Sequence, residues 1–157
     1  FKYLHGFDKY DKALKLMKFT NDLRIFRKKK LLTRNFDLNE EFSNIDGTYD
    51  VIILCNFTFK FTEEFLKNVI ERLYQNNLNK SGELIIDIIK INPKYLSQRK
   101  ETSYERKNDF RSLHNIDFLN NKIRGKITFI GEHYLYPFKR ASFSKYKKEI
   151  FSIKKNT

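Results

Sequence analysis

Tyr49 to Asn56 (Tyr-Asp-Val-Ile-Ile-Leu-Cys-Asn) constrains this chain more than any other stretch, together with Ser81 to Asp87 beyond it. Both are apolar, β-branched runs that close on a polar residue, and about two dozen residues separate them. Between them, Phe61 to Asn77 sets Phe65, Val69, Ile70, Leu73 and Tyr74 on one side of a helical period. Strand, helix, strand is the unit of a parallel sheet, whose strands are buried on both faces and lack polar alternation. In open sheets of this kind ligands gather beyond the carboxyl ends of the strands, so the polar exits are the first candidates for a site.

The flanking segments extend that pattern. Lys2 to Phe7 reads as a strand leading into Gly6-Phe7-Asp8, and Tyr10 to Phe19 as a helix with Ala13, Leu14, Leu16 and Met17 on its apolar side. Leu23 to Lys29 reads as a strand, followed by a polar loop from Thr33 to Thr48 with turn signals at Asn44 and Asp46-Gly47. Asn76 to Gly82 is a turn into a strand over Glu83 to Ile91, and Pro93 blocks its regular continuation. Lys94 to Asn108 is charged and has no period, and Phe110 to Leu119 suits a short helix. Lys126 to Gly131 and Glu149 to Lys154 suit an antiparallel pair joined by an aromatic and basic connection. The expected fold is α/β, a doubly wound, mostly parallel sheet with a C-terminal antiparallel strand pair, in one domain over 1–157.

Charge needs a closer look. The formal net charge is +13, which suits a phosphate-rich partner. Lysine outnumbers arginine by 23 to 9, however, and bidentate phosphate recognition favours arginine. Lys, Asn, Ile, Phe and Tyr are abundant while alanine occurs only at Ala13 and Ala141, a bias that A/T-rich codons produce. Runs such as Arg27-Lys28-Lys29-Lys30 are more often solvated faces. The single cysteine, Cys55, excludes an intrachain disulfide, and no run approaches the length of a membrane span. With no charged-then-apolar leader at the start, a cytoplasmic location is the expectation.

The order of elements resembles a class I S-adenosylmethionine-dependent methyltransferase entered at its second strand. Gly6-Phe7-Asp8 followed by Ala13-Leu14 resembles the exit of that strand, where an acidic residue holds the cofactor's ribose hydroxyls. Leu23 to Leu32 resembles strand three and its exit, Asp50-Val51-Ile52 with Asn56 resembles strand four, and Asn79-Lys80-Ser81-Gly82-Glu83-Leu84 resembles the turn into strand five. The closing pair resembles strands six and seven. The resemblance implies S-adenosylmethionine as cofactor and methyl transfer to an RNA, protein or small-molecule acceptor. Carried over residue by residue, it implies Asp8, Lys30, Leu31, Cys55, Asn56 and Phe57 on the cofactor, and Phe59, Tyr134, Lys139 and Arg140 on the acceptor. Four other readings stay open: a non-catalytic relative acting as a binding subunit, a basic RNA-binding module, another nucleotide-binding α/β fold, and a structural protein.

Each candidate has a plainer explanation beside it. An ionised Asp8 accepts two hydrogen bonds and can clamp a diol, but it equally suits the N-terminal end of the following helix. Asn56 can orient a ligand through its amide or cap the turn after its strand. Cys55 on an apolar strand suits a buried inert thiol. Tyr134, Lys139 and Arg140 belong to a mixture of aromatics and cations that can stack bases or simply form a hairpin with one packed face. His5, His114 and His133 have no metal-site spacing.

Two departures from the family pattern stand out. No Gly-x-Gly occurs, so the glycine-rich turn after the family's strand one is absent from the sequence, and an N-terminal strand–helix unit of roughly 30 residues is expected to be missing. At the exit of strand three the family often has Asp or Asn to read the adenine amino group, where this sequence places Lys30. An ammonium only donates and cannot accept that bond. A slip of register, adenine held by apolar packing and backbone, and a decayed site all remain open.

Overall fold

The computed structural model describes residues 3–8, 10–23, 30–37, 45–55, 58, 61–91, 115–120, 123–134 and 146–155. The chain divides into two compact units, Phe1–Ile45 and Asp46–Thr157.

In the first unit β1 (Tyr3–Asp8) and β2 (Lys30–Asn35) pair in parallel, from Tyr3 beside Lys30 to Asp8 beside Asn35. α1 (Asp11–Asp22) lies between them in the chain, as a parallel pairing requires of its connection. Leu14 and Asn21 share one side of α1 and are buried. Met17 lies on the same flank, its Sδ 2.7 Å from where a Cβ on Gly6 would stand.

Of the strand expected over Leu23 to Lys29, only Leu23 is described, and at that residue the expectation is corrected. Leu23 is the C-cap of α1, positions 24–29 lie outside the described residues, and β2 runs from Lys30 into residues read as loop. Lys30, Leu32 and Arg34 are exposed while Leu31 and Thr33 are half-buried. That is a period-two strand with one wet face, and the polar Thr33, Arg34 and Asn35 hid it from a search for an apolar run.

The second unit contains β3 (Tyr49–Leu54), α2 (Glu63–Arg72) with a π-helical last turn over Leu73–Asn77, β4 (Leu78–Ile91), a 3-10 turn (Ile116–Leu119), β5 (Gly125–Tyr134) and β6 (Tyr146–Lys155). Its sheet has the order β3-β4-β6-β5, with β3 parallel to β4 and the other neighbours antiparallel. The class is therefore mixed α/β with the antiparallel closing pair present as expected, but the described strands form two sheets, and in the second only β3 and β4 pair in parallel, which corrects the expected mostly parallel sheet.

α2 begins where Thr62 Oγ1 accepts the Phe65 N–H at 3.3 Å, with Glu63 and Glu64 in the first turn and Arg72 in the last. Leu66, Val69 and Ile70 on α2, Leu84, Ile86 and Ile88 on β4, Leu119, and Ile153 on β6 are all completely buried. Each contributes about 1.5–3 kcal/mol by leaving water. β4 is buried on both faces, since Asp87 and Ile89 are nearly inaccessible as well. β3 is not: Ile53 is 61% exposed, because β3 is the edge strand of its sheet.

The turn expected over Asn76 to Gly82 is a bulge within β4. Tyr49 pairs with Leu78 but Val51 pairs with Glu83, so 79–82 bow out of the ladder. Asn79 Nδ2 donates to Asp50 Oδ1 at 2.7 Å across the bulge. A side chain at Gly82 would meet Asn79 O at 2.9 Å, so the bulge closes only over glycine. Of the helix expected over Phe110 to Leu119, Ile116–Leu119 is a described 3-10 turn and 110–114 lies outside the described residues. No described helix is long and apolar enough to cross a membrane.

Candidate functional site

In the first unit the register sets Asp8 beside Asn35 at the carboxyl ends of two parallel strands. Asp8 Oδ1 accepts the Tyr10 N–H at 2.8 Å, an Asx turn that aims the chain from β1 into α1. The N-cap of α1 is Tyr10, which offers no side-chain cap, so Asp8 shapes the approach to the helix and does not cap it. Phe36 N–H donates to Asp8 O at 3.1 Å and carries the pairing one residue past β2. Asn35 Nδ2 donates to Asp11 Oδ1 at 2.9 Å. Phe36 is buried, with Phe7 edge-on at 5.7 Å and the Arg34 guanidinium 5.8 Å from its ring. Asp8, Asp11 and Asn35 thus gather at the strand ends, where the buried Phe36 follows β2 and Asp37 comes next in the chain.

Lys30 and Leu31 stand at the other end of this ribbon. Lys30 is the first residue of β2, its ammonium 5.7 Å from the Tyr3 ring. Asn35 is five residue steps along the strand from Lys30, roughly 16 Å of rise. Lys30 and Asp8 therefore do not meet, and the residues that occupy the exit of β2 are Asn35, Phe36 and Asp37. Placing the strand correctly would have found them, because Asn-Phe-Asp follows the period-two run directly.

In the second unit the exit of β3 faces a buried ion pair. Lys148 Nζ donates to Asp87 Oδ2 at 2.9 Å, with side chains 7% and 5% exposed. Thr58 is buried, and its Oγ1 donates to Asp87 O at 2.9 Å, so the turn after β3 is tied to β4. Cys55 is exposed, which corrects the expectation of a buried thiol. Partial desolvation still pushes its thiol above the ordinary value, the Asp87 carboxylate pushes it further, and the Lys148 ammonium opposes both. Sequence reasoning had Asp87 as the polar exit of its run, whereas β4 continues to Ile91 and holds it inside the strand; it missed Lys148, which looks like a surface charge.

Most of the remaining candidates are outside what the structure describes. Asn56, Phe57, Phe59, Lys139 and Arg140 lie outside the described residues, and Tyr134 is the last residue of β5. Among the described residues no group of three or more His, Cys, Asp or Glu is placed to hold a metal ion.

No family model matches the chain, and neither does any curated protein. Solved structures do match, at low identity. The magnesium protoporphyrin IX methyltransferase ChlM from Synechocystis PCC 6803 with bound SAM is 12% identical with a TM-score of 0.58, over 97% of this chain and 59% of its own. The N-methyltransferase NodS from Bradyrhizobium japonicum WM9 is 9% identical at 0.61, over 99% of this chain and 75% of its own. The cyclopropane synthase MmaA2 from Mycobacterium tuberculosis is 9% identical at 0.63, over 96% of this chain and 69% of its own. Against the first structures found, ChlM and the methyltransferase SibL, the chain spans 59% and 43% of their length, about half. The fold is that of class I methyltransferases.

Proposed function

We propose that the chain binds S-adenosylmethionine at the carboxyl ends of its strands and serves methyl transfer, with both units belonging to one methyltransferase-like domain. The structural likeness runs over 96–99% of the chain in NodS and MmaA2, across both units, which supports the single domain. When bound, the cofactor supplies an already activated methyl group, so the protein's task is mostly positioning.

The observation that carries the reading is Asp8 beside Asn35. Oδ1 of Asp8 takes the Tyr10 N–H, and among the described residues no donor reaches Oδ2. A carboxylate fixed through one oxygen and open at the other suits a vicinal diol. Asn35 and Asp37 supply the acceptors for an exocyclic amine that Lys30 cannot, and Phe36 with Phe7 gives the apolar bed. The donor set thus fits the nucleoside half of the cofactor. Cys55, with Asn56, Phe57 and Phe59 after it, is assigned to the cofactor's reactive end and the acceptor from the resemblance of strand four. Calorimetric titration with S-adenosylhomocysteine tests the reading: saturable binding supports it, and no heat from a folded chain removes it.

A further inference from the structure

The sheet of the second unit gives its lysines partners everywhere but at one end. Lys90 meets Glu149 at 2.8 Å, Lys147 meets Glu132 at 2.6 Å and Glu149 at 3.2 Å, and Lys148 meets Asp87 at 2.9 Å. Lys155 donates to Gln75 O at 3.0 Å and Leu78 O at 2.9 Å. Lys126 on β5 and Lys154 on β6 are different. They stand directly opposite each other in the register, both exposed, and neither forms an ion pair among the described residues. Exposed Arg124 precedes Lys126 by two residues, and exposed Lys80 lies in the bulge at the same end of β4. Glu83 is level with Lys154, but its Oε1 accepts the Ser152 hydroxyl.

Like charges directly opposite on neighbouring strands repel and cost stability. Here the ladder holds two of them side by side, with a third cation at the start of the strand. An anion bound between them relieves that repulsion, and adjoining cations suit a chain of phosphates better than a single one. Lysines meet phosphates as point charges, so the contact reads a backbone and not a sequence.

The same strand offers a second feature. Side chains alternate along β5, so Lys126 and Thr128 point to one face and Ile127 and Phe129 to the other. Phe129 is 52% exposed, although its ring meets Phe151 edge-on at 5.7 Å. β5 is an edge strand of its sheet, so a flexible chain can cross that edge with phosphates at Lys126 and a base against Phe129. A lipid surface is flat and does not reach both faces of one strand together. This end of the sheet is also not the exit of β3. Val51 pairs with Glu83, the residue level with Lys154, and Leu54 lies three steps further on, about 10 Å.

We propose that Lys126 and Lys154, with Arg124 upstream and Phe129 across the strand, form a docking surface for single-stranded nucleic acid. The contact is independent of the cofactor reading and forms without S-adenosylmethionine.

Fluorescence anisotropy of a labelled oligouridylate, titrated with the full chain at several salt concentrations, tests this. The expected result is saturable binding whose log affinity falls linearly with log salt. Lys126→Ala and Lys154→Ala should each lower that slope by about 0.7, the share of one phosphate contact on a single strand. Phe129→Leu should weaken binding about tenfold with the slope unchanged, since it removes the stacking ring and keeps an apolar contact with Phe151. Lys12→Ala with Lys18→Ala removes the same net charge from α1 as the sheet double variant does, and should leave affinity and slope close to the parent's. The alanines remove a repelling pair at exposed positions, and far-UV circular dichroism checks that the fold survives. No binding at low salt overturns the proposal. So does an equal loss in the two double variants, which would be a response to net charge alone. Binding to phosphatidylserine vesicles and not to oligouridylate also overturns it, in favour of a membrane surface.

Discussion

Lys148 reaches across from β6 to Asp87 on β4, Nζ to Oδ2 at 2.9 Å, and both side chains are almost out of solvent. A buried pair of this kind recovers its desolvation only while both members are present. Asp87→Asn or Lys148→Met alone should therefore cost about 3–5 kcal/mol in urea unfolding, whereas Asp87→Leu with Lys148→Met together should be close to neutral. Single variants within about 1 kcal/mol of the parent would show that water or another group already compensates each charge.

The same pair sets the reactivity of Cys55. Its thiol is raised above the ordinary 9.0 by desolvation first and Asp87 second, and lowered by Lys148. The rate of alkylation by iodoacetamide should rise with a midpoint above that value. Asp87→Asn should move the midpoint down and Lys148→Met should move it up. Identical profiles for the three proteins would place the sulfur outside the field of the pair.

Glu149 gives the acid limb of stability. Burial pushes its carboxyl up, but hydrogen bonds from Lys90 and Lys147, at 2.8 and 3.2 Å, outweigh that and leave it below the ordinary 4.5. A depressed carboxylate stabilises the fold above its unfolded value and loses that contribution as pH falls through its folded value. Stability should decline below pH 4.5, and Glu149→Gln should flatten the curve in that window while leaving its shape near neutrality. A variant curve parallel to the parent's throughout would remove Glu149 from the acid response.

At the strand ends, Asp8→Ala should weaken S-adenosylhomocysteine binding by about 1.5–3 kcal/mol, the range for charged hydrogen bonds. Asn35→Ala should cost less, about 0.5–1.5 kcal/mol. Lys30→Ala should leave the affinity unchanged, since Lys30 stands at the far end of β2. Loss of affinity with Lys30→Ala and none with Asp8→Ala would reverse the polarity assigned to the site.

What the sequence revealed follows the physics of each element. Val51-Ile52-Ile53-Leu54 and Leu84-Ile85-Ile86 are apolar runs long enough to read as strands with no partner in view, and the amphipathic period of 63–72 reads as a helix. The exposure of Ile53 and Cys55 did not show, because an edge strand and a central strand of a parallel sheet can carry the same composition. The end of β2 was read too early because one wet face let Thr33, Arg34 and Asn35 into the strand. Asp87 and Lys148 are 61 residues apart and meet only through the antiparallel register of β4 and β6. No local pattern announces such a pair.

The location of the cofactor site is best tested by following backbone amide shifts while S-adenosylhomocysteine is added. The expected result is that the largest changes fall on Asp8, Tyr10, Asp11 and Asn35 to Asp37, at the carboxyl ends of β1 and β2, with Tyr3 and Lys30 nearly still. Changes centred on Tyr3 and Lys30, or none at saturating ligand, would contradict a nucleoside held by Asp8 and its neighbours.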